Sequence, residues 1–577
     1  MSRELQISTG QYSDKGRKPV NQDFHGILVP AEPLLSSKGV AVVLADGISS
    51  SNVSHIASES AVKSFLTDYY CTSDSWSVKT SAQRVLAATN SWLHAQTRRS
   101  PYAYDNDRGY VCTMSAMVVK STTAHVFHAG DCRVYRLAGH ALEQLTEDHR
   151  VIVSSEQTYL GRALGINAQI EIDYQAIRVE PGDVFLLMTD GAYEHVDDRF
   201  VTKTIGDSPG DLDMAAKAIA EEAYARGSDD NITVQIVRID AVPDGEASDV
   251  LGQTLKLPLP PLLEPRMMFD GYRIVREIHG SSRSHIYLGV DVDTDTPVAI
   301  KIPSIDLRDD PAYLKRFMME EWIARRIDSP HVLKPRAPSR RRNYLYVVTE
   351  FIDGQTLRQW MIDHPGPDLE TVRVIAEQIA GGLRAFHRME MLHQDLRPDN
   401  IMIDKTNTVK IIDFGAVRVA GVAEAAPADR DDILGTVQYA APEYFLGAPV
   451  STRSDLFSLG VITYQMLTGK LPYGASAAKV RTASQVRKLR YISALDDDRE
   501  IPIWVDAALR RAVHPDPNKR YDSLSEYVFD LRHPNANYLR SSVTPLLDRN
   551  PLLFWKCTTV FLACIVIALL ASHALRH

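Results

Sequence analysis

Cysteine is scarce: the 577 residues hold 5, at Cys71, Cys112, Cys132, Cys557 and Cys564, and no two form a CxxC pair. That argues against a disulfide framework or a structural zinc site and suits a reducing compartment. Charge imbalance is also slight. The formal net charge is −9, and no run of Lys and Arg builds a basic stripe, which argues against nucleic acid as a partner. The opening MSRELQISTG has no apolar core behind its basic residue, so no signal peptide is expected. No repeat of solenoid period is present. With 24% charged and 45% hydrophobic residues, the composition excludes disordered and fibrous classes.

A chain this long exceeds one hydrophobic core and calls for at least two domains. The stretch 241–268, AVPDGEASDVLGQTLKLPLPPLLEPRMM, carries Pro243, Pro258, Pro260, Pro261 and Pro265. Proline at that density favours extended backbone, so 241–268 reads as a linker between units at 1–240 and 269–533. A juxtamembrane segment, 534–556, follows. Residues 557–575, CTTVFLACIVIALLASHAL, then run nineteen positions without a charge. As a helix rising about 1.5 Å per residue they would span about 28 Å, close to the about 30 Å of bilayer hydrocarbon. Trp555 and Lys556 would sit at one interface and Arg576 at the other. A C-terminal transmembrane helix is expected.

In the first unit, short β-rich runs recur at 40–46, 115–120, 124–130, 132–137, 183–190 and 232–239, with helical stretches near 52–70, 80–98 and 211–226. The spacing predicts largely antiparallel sheets covered by helices, an α+β arrangement. Acids stand where apolar runs stop: Asp46 in LADG, Asp190 in MTDG and Asp230 in SDDNIT, joined by Asp23 in NQDF and Asp131 in AGDCR. Any one Asp-Gly is an ordinary turn. Several carboxylates converging from different strands are what a hard divalent ion needs.

The ordered series SDKGRKPVNQD, LADG, CTMSAMVV, HAGDCRVYR, LLMTDGAYE and SDDNITV resembles the type 2C metal-dependent protein phosphatases. The resemblance implies a β-sandwich flanked by helices and two ions, Mg²⁺ or Mn²⁺, that share a water or hydroxide and clamp the phosphoryl oxygens. It makes Asp46 the bridging ligand, with the Gly47 carbonyl on one ion, Asp190 and Asp230 on the other, and Asp23 acting through water. Asp131 and Glu194 fall where some members hold a third ion. A guanidinium is expected to grip the substrate phosphate, assigned to Arg17 with Lys18 as the alternative. Ile48 stands where many members have a histidine general acid, and DGISS replaces the usual glycines with Ser49 and Ser50.

The second unit begins with the strand-like YRIVREI, HIYLGVDV and PVAIKI and ends rich in helix, which predicts a small β lobe followed by a larger α lobe. TPVAIKI, RFMMEEWIARRI, HQDLRPDN, KIIDFG, AAPE, SDLFSLG and NKRY follow in order. The set resembles the eukaryotic-like Ser/Thr protein kinases and implies their bilobal fold. It implies Lys301 on the ATP phosphates, oriented by Glu320, with Asn400 and Asp413 holding Mg²⁺ and Asp395 taking the substrate hydroxyl proton. Ile278 and Ile286 would flank the nucleotide and Thr349 would back the adenine pocket. Glu443 would pair with Arg520, and Asp455 would brace the catalytic loop. HGSSRSHI departs from the glycine-rich pattern, with His279, Ser281 and Ser284 where glycines belong. Gln394 stands where an arginine usually reads an activation-loop phosphate, so activity independent of that phosphate is expected. Arg397 replaces the usual lysine.

Together these features imply a membrane-anchored bifunctional enzyme, with ATP and Mg²⁺ or Mn²⁺ as cofactors. Its partners would be Ser/Thr protein substrates in both phosphorylation states, its own kinase domain among them. The catalytic domains would face the cytoplasm from the inner membrane. The alternative is an active phosphatase controlled by a nucleotide-binding pseudokinase.

Overall fold

The structure is a computed structural model that describes residues 4–574 except 140, 155–156, 244–256, 282, 308–309, 337–339, 426–437, 475–479, 481, 496–500 and 536–550. The N-terminal unit is a sandwich of two five-stranded antiparallel sheets. One runs in the order Gln6–Asp14, Ile232–Ala241, Val184–Met188, Arg133–Ala138, Ala141–Gln144, and the other Asp173–Arg178, Thr123–Ala129, Cys112–Lys120, Val40–Gly47, Asp23–Leu28.

Strand Val40–Gly47 shows how its sequence builds layers. Successive side chains of a strand point to opposite faces. Val40, Val42 and Leu44 pack between the sheets with Phe185, Leu187, Val237 and Ile239. Ala41, Val43 and Ala45 face the other way, where small side chains let helices Ser54–Cys71 and Val78–Arg99 lie close. Ser77 begins the second helix by accepting from Thr80 N. A third helix, Leu212–Ala225, covers the opposite sheet and is capped by Asp211. The expected antiparallel layers and helices are thus observed.

The C-terminal unit opens with a five-stranded sheet, Met268–Phe269, Tyr272–Gly280, Ser284–Asp291, Thr296–Pro303 and Val347–Glu350. Helix Pro311–Ala324 packs beside it, started by the Asp310 cap and a proline in its first turn. The larger lobe is built on helices Leu369–Arg388, Thr452–Thr468, Ile503–Ala512 and Leu524–Arg532. Residues before 269 also pack on this unit. Leu263 is buried with Phe269, Tyr272 and Tyr346, and Leu345 N donates to Pro258 O at 2.9 Å. The end of the proline-rich stretch is therefore held by apolar burial against the small lobe.

Residues Pro551–Ala574 form one helix. Val560, Phe561, Leu562 and Ile567 on it are exposed. Among the described residues, no helix is long and apolar enough to cross a membrane. The transmembrane expectation is therefore unsupported among the described residues.

Candidate active sites

In the N-terminal unit, strand pairing sets Asp23 opposite Asp46 on neighbouring strands. Asp190 opens the short helix after Val184–Met188, and Asp230 stands just before Ile232–Ala241, the strand paired with it. Four acids from four strand ends thus meet at one rim of the sandwich. Asp23 Oδ2 accepts from Thr233 Oγ1 at 2.6 Å and Thr189 Oγ1 at 3.0 Å. Its Oδ1 is buried with no donor among the described residues, and the Asp46 carboxyl neighbours the Asp23 side chain.

Burial pushes Asp23 up to about 6. Burial and the neighbouring carboxylates push Asp190 up to about 7 and Asp46 well above the carboxylate range. Burial raises Asp131 as well. Acids that resist ionising together in this way have the chemistry of a site for a hard cation, which would relieve both the desolvation and the repulsion. Two basic side chains stand against them. Lys18 Nζ lies 3.1 Å from Asp230 Oδ2. The Arg150 guanidinium reaches Asp131 at 2.9 Å, Glu194 at 2.9 Å and Asp190 at 3.1 Å. Among the described residues, no group of three or more His, Cys, Asp or Glu is arranged as an ion cage.

In the C-terminal unit, Lys301 on Thr296–Pro303 donates to Glu320 on helix Pro311–Ala324 at 2.6 Å. Burial pulls the Lys301 ammonium down, but the Glu320 and Asp413 carboxylates outweigh it and leave it raised, hence charged. Burial raises Asp413, but the Lys301 charge outweighs it, and Gly415 N adds a hydrogen bond at 3.1 Å, leaving Asp413 below the usual range. Asn400 Nδ2 donates to Asp395 O at 2.9 Å and Oδ2 at 3.0 Å. Arg397 Nε stands 3.6 Å from Asp395 Oδ2.

The loop that carries Asp395 is held from beneath. Buried Asp455 accepts from His393 N at 2.9 Å, Gln394 N at 3.0 Å and His387 Nε2 at 2.9 Å. These bonds fix Gln394 at φ +65°, a left-handed conformation costing a side-chain-bearing residue about 1–2 kcal/mol. Hydrogen bonds to a charged group, worth about 1.5–3 kcal/mol each, can hold it there. Arg520 and Glu443 make a fork of two bonds at 2.7 and 2.8 Å, almost wholly buried. At the other side of the cleft, Ile286 sits opposite Lys301 in register, and Ile278 lies on the adjoining strand, half exposed. Thr349 stands opposite Ala299. The turn between these strands is closed by Ser281, whose N donates to Ser284 O and whose Oγ accepts from Ser284 N.

A family model described as "Protein kinase domain" matches residues 272–531, and one described as "Protein phosphatase 2C" matches residues 12–219. The chain joins a protein phosphatase 2C domain to a protein kinase domain. The kinase domain is 28% identical over 261 residues to serine/threonine-protein kinase PrkC of Bacillus subtilis, covering 45% of this chain and 40% of that one. It is 31% identical over 260 residues to PknL of Mycobacterium tuberculosis, covering 45% of this chain and 64% of that one. The chain therefore spans less than two thirds of either relative. The phosphatase domain is similar to the catalytic domain of the serine/threonine protein phosphatase PstP in complex with two manganese ions, at 22% identity. That match covers 41% of this chain and 100% of that one, with a TM-score of 0.35.

In the kinase domain, the structure brings Lys301, Glu320 and Asp413 together, and Asn400 onto Asp395. In the phosphatase domain it brings Asp23, Asp46, Asp190 and Asp230 to one rim, with Gly47 at the end of the Asp46 strand. Arg17 departs from expectation: its guanidinium donates to Gly227 O at 3.2 Å and lies 5.2 Å from the Tyr224 ring centroid. Lys18, one residue on, faces the carboxylates instead. Arg150 carries no sequence signal, because it lies in TEDHRVIV, outside every quoted motif. Thr189 and Thr233 were legible as polar residues beside the acids of MTDG and DDNITV.

Proposed function

We propose that this chain is a membrane-anchored bifunctional enzyme that transfers the ATP γ-phosphate to Ser/Thr side chains and hydrolyses phosphoserine and phosphothreonine. The observation that carries the reading is the charged Lys301–Glu320–Asp413 cluster in the kinase domain beside the crowded Asp23–Asp46–Asp190–Asp230 rim in the phosphatase domain.

In the kinase domain, Lys301 would hold the nucleotide phosphates and Asp395 Oδ would receive the substrate hydroxyl proton, oriented by the Asn400 amide. Asn400 and Asp413 are the residues that would meet the magnesium carried in with ATP. In the phosphatase domain, Asp46, the Gly47 carbonyl, Asp190 and Asp230 would hold divalent ions, with Asp23 behind them. Two such ions, when bound, would acidify a shared water and draw charge from the phosphoryl oxygens. Lys18 would hold the substrate phosphate, a role first given to Arg17.

The helix Pro551–Ala574 would anchor the chain in the inner membrane with both domains cytoplasmic, a reading that rests on the uncharged run 557–575. Loss of the chain from carbonate-washed membranes after truncation at Thr544 is the expected result, and equal partitioning of both forms would remove the anchor.

Ser281 closing the nucleotide-side turn favours a second reading, a nucleotide-binding pseudokinase that regulates the phosphatase. The two readings separate in one experiment with labelled ATP and Mg²⁺ or Mn²⁺. Label should build up in Asp46→Asn and vanish in Asp46→Asn/Asp395→Asn. Absence of label in Asp46→Asn would leave the pseudokinase reading standing.

A further inference from the structure

The two domains meet through charged groups that are costly to bury unless paired. Lys120, at the end of strand Cys112–Lys120, is 1% exposed, and its Nζ donates to Gly421 O at 2.6 Å and stands 3.5 Å from Glu424 Oε2. Both partners lie on the kinase domain, in the segment that follows Asp413. Glu424 also accepts from Val78 N at 3.0 Å, and Glu390 accepts from Ser77 N at 2.6 Å, Ser77 Oγ at 2.8 Å and Thr80 Oγ1 at 2.6 Å. Two kinase glutamates thus satisfy the first amides of the 22-residue phosphatase helix Val78–Arg99, where unpaired N–H groups and the helix dipole favour negative charge.

A second contact reaches the kinase helix that carries Glu320. Just past its end, Arg326 makes a fork to Asp74 at 2.8 and 2.7 Å. Gly421 N donates to Ser75 O at 2.9 Å, and a Cβ at Gly421 would come within 2.6 Å of Trp76 O, so the two backbones touch where no side chain fits. Trp76 Nε1 donates to Arg388 O at 3.0 Å.

These contacts bear on the catalytic elements directly. Glu390 lies five residues before Asp395, and Gly421 eight after Asp413. Strand Arg418–Val419 pairs with Met391–Leu392, tying both stretches to the same grip. Gln394 is a neutral amide and cannot hold a phosphate that would order this region. A neighbouring domain can supply that order.

We propose that the phosphatase face formed by Asp74–Val78 and Lys120 is a docking surface for residues 388–424 of the same chain, and that docking positions Asp395 and Asp413 for phosphoryl transfer. Asp74, Lys120, Glu390 and Glu424 are then positioning residues for a reaction they do not touch. The second half of the proposal rests on the kinase reading above.

The test uses the full-length chain with Asp74→Arg, Arg326→Asp and the two combined, all in an Asp46→Asn background to isolate transfer. Amide hydrogen exchange at Val78 and Gly421 reports docking without requiring activity. Each single variant should speed exchange about tenfold and lower kcat for autophosphorylation about tenfold with the KM for ATP unchanged, and the charge swap should restore both. Glu390→Gln and Glu424→Gln, which keep shape and remove charge, should act in the same direction if a reversal unfolds the domain. Unchanged exchange in all four single variants would overturn the docking surface. Faster exchange with an unaltered transfer rate would overturn the coupling. A chain inert toward ATP whose amides still lose protection would keep the docking surface and sink the kinase reading instead.

Discussion

Lys301 Nζ and Glu320 Oε2 are 2.6 Å apart, joining a strand to a helix across 19 residues of sequence. The pair is part-buried, so either partner alone would be a poorly compensated charge. Lys301→Met should cut autophosphorylation by about 100-fold or more, because a preorganised phosphate contact is lost. Hydrolysis of a phosphopeptide by the same protein should stay near the unmutated rate, as measured by phosphate release.

Lys18 and Arg17 give a sharper test of the phosphatase site. Removing a charge-assisted bond of about 1.5 kcal/mol slows a reaction about tenfold. Lys18→Ala should show that loss in phosphopeptide hydrolysis, whereas Arg17→Ala, whose guanidinium lies over Tyr224, should change it less than about twofold. The opposite ranking would return the phosphate contact to Arg17.

The carboxylate rim predicts a linkage between pH and divalent ions. Burial and neighbouring carboxylates hold Asp23 at about 6 and Asp190 at about 7 in the folded chain, against 3.8 for an ordinary aspartate. Between those values the folded state holds more protons than the unfolded one, so metal-free stability falls as pH rises from about 4 to about 7. Mn²⁺ held by these carboxylates would replace the protons and remove the penalty. The Mn²⁺-induced rise in melting temperature should therefore be larger at pH 8 than at pH 5.5, read by thermal denaturation of the phosphatase transition.

Arg520 and Glu443 hold the large lobe from within. Glu443→Gln leaves the Arg520 charge in a site 0% exposed, and breaking a buried pair costs about 3–5 kcal/mol. Denaturant unfolding should show that loss in the kinase transition, with the phosphatase transition unmoved.

Much of this was readable in advance wherever one residue type answers one physical demand. The short β-rich run at 40–46, apolar up to Asp46, fits a strand with two buried faces, and acids at strand ends announced a rim of carboxylates. Lys301, Glu320, Asp395, Asn400 and Asp413 were legible because each sits in a spaced motif. Arg150 was not, since a lone arginine acquires its meaning from three acids that only folding brings to it. Arg17 and Lys18 differ by one position, and the backbone there decides which points inward. The packing of Pro258 and Leu263 against the kinase lobe was hidden because prolines mark extended chain whether or not a surface lies beneath it. The contact between domains had no local signature: Glu390 and Glu424 look like solvated charges until the helix start at Ser77 is set against them.

One chain carries both domains, and that has a consequence for stoichiometry. On the proposed reading, its two opposed active sites are present one to one at every expression level. For any protein both sites act on, the steady-state fraction modified then depends on their relative rates and not on how many copies the cell contains. Doubling the copy number would shorten the time to reach that fraction and leave its value alone.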